Sequence, residues 1–407
     1  MFFFKNFNNL FFVFWGFFLN KKILLPWMVD SIIKLELIDQ PQIKIPTPQK
    51  THFYREGTHE DILKLLKDEN FYEDEGVFLK GKVPSQSTNY VEKILQNGGF
   101  SKCIRLYQDE SMSYVCKEVK AKKFNKNEVR HMCQLNDMNI CKIYGLVCKT
   151  DEYHIYMEYC GTNLYELIKT VQFHFDQIVD ITKQLCMAVE FAHNKKILHL
   201  DIKPQNICLL FMIQRIVLKL TDWGSSKPDN LSTEVQSITF YYASPELLYL
   251  HISQTLSLGK VKEEMLAKAI ELTQKFCGNY NNIERVSTKS DSFSIGLTIM
   301  LTKTKKHLYE RCRSFSNIFE LIEMFAENPN AARDLLNDPD DILICIIKKL
   351  IEGDSHKRSS VKEVQKMITN YQKNGYNSEV TEDTSQSDNV PLPEPQEYNV
   401  PNFEMLF

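Results

Sequence analysis

The sequence predicts an α+β chain of two lobes: a small, β-rich N-terminal lobe carrying one key helix, and a larger, mainly helical C-terminal lobe. Its 407 residues exceed what a single hydrophobic core usually serves. Short β-rich segments follow one another at 90–95, 103–107 and 114–119. From Asn163 onward the apolar residues recur at three- and four-residue steps, which is the helical period.

The elements follow in order. Gly98 and Gly99 lie between the first two β segments, where backbone N–H groups can approach a phosphate without side chains in the way. Asn-Gly is also a common hairpin pair, so the turn is open to the plainer reading. Glu128 opens a segment in which Val129, Met132 and Leu135 fall at helical spacing, so it can turn a carboxylate toward the sheet. Residues 139–145 and 153–157 read as two further strands. Leu164, Leu167 and Ile168 mark one helix, and Ile178, Ile181, Leu185, Ala188, Val189 and Ala192 mark a longer one with a broad apolar stripe. Residues 207–211 and 216–220 form a hairpin-like pair, and 318–325 and 342–351 read as closing helices.

Both ends differ from this body. Residues 1–27 form a hydrophobic leader whose apolar run, 10–19, is shorter than the roughly 20 residues a spanning helix needs. Membrane contact through residues 1–25 is one reading and a disordered leader the other. Residues 28–87 are punctuated by Pro41, Pro46, Pro48, Gly81 and Pro84 and predict a poorly structured extension. One short helix is expected there over 59–67, with Ile62, Leu65 and Leu66 on one face. The tail, 371–407, is acidic, hydroxylated and proline-containing, and lacks the apolar content to fold alone.

Charge and cysteine usage narrow the function classes. The net charge of -3, from 49 basic and 52 acidic residues, makes no electrostatic case for nucleic acid. The 11 cysteines show no C-x-x-C spacing and read as reduced thiols of an intracellular, cytoplasmic protein.

The chemistry concentrates in two stretches. Residues 199–206 read His-Leu-Asp-Ile-Lys-Pro-Gln-Asn, and 218–224 read Leu-Lys-Leu-Thr-Asp-Trp-Gly. Together they bring Asp201, Lys203, Asn206 and Asp222 near one point, the equipment for moving a phosphoryl group. Asp201 can orient a hydroxyl nucleophile, while Asn206 and Asp222 can hold hard magnesium ions. These stretches resemble the catalytic loop and metal-binding turn of the eukaryotic protein kinases, with Leu200 and Trp223 where that family usually has Arg and Phe.

The resemblance extends in the family's order over about 90–368. It implies a kinase domain at 88–370, with lobes of about 88–160 and 161–370, an insertion at about 249–289, and ATP and Mg2+ as cofactors. It implies that Lys117, fixed by Glu128, holds the α and β phosphates, that Lys203 sits on the γ-phosphate, and that Asn206 and Asp222 hold magnesium. Residues 157–161 resemble the hinge: Met157 guards the pocket, and the backbones of Glu158 and Cys160 face adenine. Gly98 keeps the central glycine of the phosphate turn, while Leu95, Cys103, Val115 and Cys208 take the positions of apolar walls for the base. Val115 stands where alanine is usual. Pro245 and Glu246 resemble the end of the activation segment, with Arg358 as the partner of Glu246.

The D-x-K-P-x-N form of the loop and Thr239 imply serine/threonine protein substrates, and Leu200 implies a loop without the arginine that pairs with an activation-segment phosphate. The alternative is a kinase-fold scaffold or allosteric activator without catalysis. Within the insertion, Val261, Met265, Ala269, Leu272 and Phe276 predict an amphipathic helix, either covering a core or docking a regulatory partner.

Overall fold

The structure, a computed structural model, describes residues 53–68, 75–84, 91–97, 103–108, 113–213, 215–229, 239–259, 263–279, 286–307, 318–333, 336 and 341–374. The leader, Gly98 and the tail from 375 onward lie outside these residues.

Five antiparallel strands build the body of the small lobe: β3 (Val91–Asn97), β4 (Cys103–Gln108), β5 (Ser113–Lys120), β6 (Ile143–Cys148) and β7 (Glu152–Glu158). The strand expected at 139–145 therefore starts later, and Ile140 makes only an isolated bridge to Leu220. Helix α2 (Lys126–Gln134) crosses the sheet with Glu128, Val129 and Met132 buried.

The extension departs from the expectation of poor structure. Residues Phe53–Gly57 form β1, His59–Lys67 form α1 and Glu75–Leu79 form β2, giving a seven-stranded sheet in the order β1-β2-β6-β7-β5-β4-β3. Strands β1 and β2 run parallel, joined through α1, and β2 pairs antiparallel with β6. Helix α1 forms as predicted and starts on a capping box between Thr58 and Asp61. Its buried face, Ile62, Leu65 and Leu66, packs toward α2, each residue contributing about 1.5–3 kcal/mol if fully removed from water. The two strands are short, and β2 is buried over three consecutive residues, so neither shows the alternation that marks a strand. Phe78 of β2 lies against β6 where Gly145 leaves room, since a Cβ at Gly145 would collide with the ring.

The large lobe is organised around α7 (Thr288–Thr304), buried continuously from Ser290 to Thr302. Helix α7 packs on α4 (Phe175–Asn194) and α9 (Ile342–Leu350), and α4 packs on α10 (Val361–Asn374), which runs four residues past the expected domain end at 370. Helix α3 (Leu164–Thr170) precedes α4, and α5 (Pro245–Ser257) runs into the expected insertion. The amphipathic helix expected there is α6 (Glu263–Asn279), packed on α5 and on α8 (Ile318–Glu327). Of the expected stripe, Ala269 and Leu272 are fully buried and cover a core, while the neighbouring Leu266 and Ile270 remain exposed; the side chains of Val261, Met265 and Phe276 lie outside the described residues.

Short strands link the lobes. A three-stranded sheet, β11-β10-β8, is made by β8 (Thr162–Asn163), β10 (Ile207–Met212) and β11 (Arg215–Leu220); β9 (Ile197–Leu198) pairs with β12 (Lys227–Pro228). Gly161, at φ +83, enters β8 so close to Leu209 that a Cβ would strike its carbonyl.

Candidate active site

The loop between β9 and β10 carries Asp201, Lys203 and Asn206 and is held from behind by Asp291 of α7. The Asp291 carboxylate accepts from His199 N at 2.9 Å, Leu200 N at 2.8 Å and His193 Nε2 at 2.8 Å. Burial pushes its pKa up, and the His193 and loop contacts outweigh that and hold it below the usual carboxylate range. Asp201 N donates to His199 Nδ1, so Nε2 carries the ring proton and donates to the Thr221 carbonyl at 3.1 Å. Leu200 and Asp222 adopt left-handed φ values of 63° and 59°, uncommon for residues other than glycine and concentrated at functional sites. Leu200 is buried.

On the open side of the loop the polar groups converge. Thr239 Oγ1 donates to Asp201 Oδ1 at 2.6 Å and accepts from Lys203 Nζ at 2.7 Å. Lys203 Nζ also lies 2.9 Å from Asp201 Oδ2. Asn206 uses Nδ2 on the Asp201 carbonyl and Oδ2, which leaves its amide oxygen as the acceptor.

The small lobe supplies the opposing charge. Lys117 of β5 donates to Glu128 Oε1 at 2.7 Å and to Asp222 Oδ1 at 2.8 Å. Burial would lower the Lys117 pKa, but Asp222 and Glu128 outweigh it and hold the ammonium above its ordinary value. Burial raises Glu128, with Lys117 opposing. Desolvation opposes ionisation of Asp222 as well, yet Lys117 holds it well below the carboxylate range. The Asp222 side chain is 44% exposed. An amide oxygen and an ionised carboxylate are hard donors of the kind magnesium takes, so Asn206 and Asp222 fit that ion.

The residues expected around a base are distributed unevenly. Met157, next to last in β7, pairs across the strands with Val115 and is buried with it. Cys208, second in β10, lies beside Lys219 of β11, while Leu95 of β3 is 45% exposed. Cys103 opens β4, and Gly98 is outside the described residues. The Glu158 side chain forms a 2.8 Å ion pair with Lys219, and its carbonyl accepts from the thiols of Cys160 at 3.3 Å and Cys141 at 3.6 Å. The Cys141 contact, with burial, pushes the Cys160 thiol up, and burial pushes Cys208 up to about 12, so both stay protonated at neutral pH.

Beneath the site, Arg358 makes a bidentate pair with Glu246 at 2.7 and 3.0 Å, and Ser290 adds a third bond to that carboxylate. Arg358 is 1% exposed, and removing one member of such a pair costs about 3–5 kcal/mol.

Sequence reasoning missed several contributors. Asp291 was missed as the anchor of the loop, because its three donors come from residues nearly a hundred positions upstream. Asn125, His131 and Ser226 were missed too. Asn125 bonds the Gly224 carbonyl at 2.7 Å and His131 Nδ1 lies 2.7 Å from Ser226 Oγ, tying α2 to the turn after Asp222. Asn125 alone carried a signal, as an Asn directly before a helical pattern.

Comparison with known proteins agrees with this geometry. Residues 90–285 match the protein kinase domain family, and Asp291 and Arg358 lie beyond that stretch. Serine/threonine-protein kinase Nek5 of Mus musculus is 35% identical over 189 residues, covering 42% of this chain and 30% of that protein. Nek1 of Mus musculus is 31% identical over 207 residues, 46% of this chain and 16% of that protein. Aurora kinase of Saccharomyces cerevisiae is 32% identical over 200 residues, 44% of this chain and 52% of that protein. The chain thus spans 30% of the length of Nek5 and about half that of the Aurora kinase. Over residues 90–285 the chain carries a protein kinase domain, and the relatives named here are serine/threonine-protein kinases and an Aurora kinase.

Proposed function

We propose that the protein transfers the γ-phosphoryl group of ATP to serine or threonine hydroxyls of protein substrates, and that it does so without a phosphate latch on its activation segment. The observation that carries this reading is the joined network Glu128–Lys117–Asp222 on one side and Asp201–Thr239–Lys203 on the other, every member within hydrogen-bond distance of the next. When bound, ATP supplies the phosphoryl group and magnesium neutralises the charge that develops on it. Lys117 contributes a fixed ammonium for phosphate oxygens, kept charged by its two carboxylates. Asn206 and Asp222 contribute oxygen donors for the metal. Asp201, locked by Asn206 and Thr239, presents a carboxylate that orients the acceptor hydroxyl. Lys203, bonded to Thr239, offers a second cation where charge accumulates.

Leu200 supports the second half of the proposal, because a buried apolar side chain offers no cation to a loop phosphate. The relatives' names support serine and threonine as acceptors.

The test incubates the full chain with labelled ATP, magnesium and mixed protein substrates, beside Lys117→Met and Asp222→Asn. Wild type is expected to label serine and threonine, with both variants at least about a hundredfold slower. Phosphatase-treated wild type is expected to retain its rate. Equal label from all three chains would favour the scaffold reading.

A further inference from the structure

We propose that Asn125, the N-cap of α2, and His131 within α2 are positioning residues for the turn 222–226, holding Asp222 at the site through two hydrogen bonds that reach from the helix and its cap to the turn. This rests on the phosphoryl-transfer reading of the site. The turn needs such support. Asp222 sits at φ 59°, and Trp223, although fully buried, has an indole N–H with no partner among the described residues, so the ring is held by packing alone. Beyond the Lys117–Asp222 pair, the polar contacts that fix the turn reach its backbone and Ser226.

Two side chains of α2 do so. Ser226 Oγ lies 2.5 Å from the Trp223 carbonyl, and a carbonyl only accepts, so the serine proton points there. Ser226 Oγ then accepts from His131, whose proton sits on Nδ1, 2.7 Å away. The result is a directed chain from the helix through Ser226 to the backbone of the turn. His131 and Ser226 are 4% and 1% exposed, so water offers neither a substitute. Burial, with Arg130 adding to it, lowers the His131 pKa to about 4, so the neutral form makes this chain at pH 7.

Asn125 works at the other end of the turn. Its Oδ1 caps α2 by accepting from Asn127 N at 3.0 Å, and its Nδ2 donates to the Gly224 carbonyl at 2.7 Å. The cap alone would be served equally well by Asp, which lacks the donor. Glu128 lies between Asn125 and His131 on the same helix, so the contacts that place the turn also place the partner of Lys117.

The test uses the full chain and four variants: Asn125→Asp, His131→Leu, His131→Asn and Ser226→Ala. Asn125→Asp keeps the cap and loses the link; His131→Asn keeps a donor near the Nδ1 position, and His131→Leu does not. Hydrogen exchange at the amides of 223–227 in the nucleotide-free protein is the primary readout. Asn125→Asp, His131→Leu and Ser226→Ala are each expected to speed it about tenfold, the loss of one buried hydrogen bond, with α7 unchanged. His131→Asn is expected to stay within about threefold of wild type. In the transfer assay the same three variants should lower kcat and raise the magnesium requirement together, and His131→Leu with Ser226→Ala should cost no more than either alone.

Wild-type exchange in Asn125→Asp, or equal exchange in His131→Asn and His131→Leu, would overturn the proposal. If His131→Leu melts the whole domain, Asn125→Asp decides. Absence of transfer by wild type, with the exchange pattern as expected, would count against the phosphoryl-transfer reading and leave the helix-to-turn link standing.

Discussion

The catalytic loop and helix α2 bring the two halves of one site into place, and they are held by opposite means. The loop is anchored through its main chain, with one fully buried carboxylate, Asp291, taking the N–H groups of His199 and Leu200 together with the His193 ring. Helix α2 is anchored through side chains, by Glu128 to Lys117, Asn125 to Gly224 and His131 to Ser226, with α1 packed nearby. A backbone anchor tolerates Leu200 in the loop because it does not read the side chain. It also fails as a unit, whereas α2 can loosen one contact at a time.

The largest expected effect breaks the first kind of anchor. Asp291→Ala strands three donors in a buried site, at about 1–3 kcal/mol each. We expect the urea midpoint and the transfer rate to collapse together, and Asp291→Asn to fall between this variant and wild type. An Asp291→Ala chain with an unchanged midpoint would show that the loop is held by something other than this carboxylate.

A smaller effect is expected from loosening α2 from outside. Gly145→Val places a side chain where the Phe78 ring lies, an overpacking that costs about 1–3 kcal/mol. Because β2 pairs with β6 at this point and α1 leads into β2, the strain should open β1, α1 and β2 and speed exchange in α2 while α7 stays protected. Pairing Gly145→Val with Phe78→Ala should restore part of the protection. Uniform opening of both lobes would erase the distinction between the two anchors.

The same distinction explains what could be read from the sequence. Asp201, Lys203, Asn206 and Asp222 are close in sequence, so residue type, spacing and the resemblance to the kinase catalytic loop together gave the roles expected of them. The path of the large lobe was legible from broad apolar stripes such as that of α4. The position of α2 was only half legible: Glu128 follows from helical periodicity, but Asn125 and His131 act on residues about a hundred positions away, and no local pattern marks such pairs. The β1–α1–β2 unit was hidden for a different reason. Its helix has the amphipathic signature, whereas its strands are short and one is covered on both sides, which removes the alternation a strand reading needs. Gly145 was the available clue, and its meaning depends on Phe78 arriving from outside the matched domain.

The smallest expected effect separates the lobes by pH. Burial lowers His131 to about 4 and His307 to about 3 from an ordinary 6.5, so both are neutral in the folded protein. His131 belongs to α2, and His307 packs edge-on against Tyr241 and Tyr242 beside Thr239. The unfolded chain takes up a proton at each below about pH 6.5 and the folded chain does not, so the stability these groups confer is complete above that pH and declines toward their folded values. Well below 6.5 the loss is about 1.4 kcal/mol per pH unit for each histidine; between pH 7 and pH 6 it is under about 1 kcal/mol. His131→Asn and His307→Phe should each flatten the pH dependence of the urea midpoint. Their exchange patterns at pH 5.5 should differ, with His131→Asn sparing α2 and the turn after Asp222, and His307→Phe sparing 239–243. If both variants protect the same segment, the acid-sensitive opening is a single event and the two anchors are not independently breakable by protons.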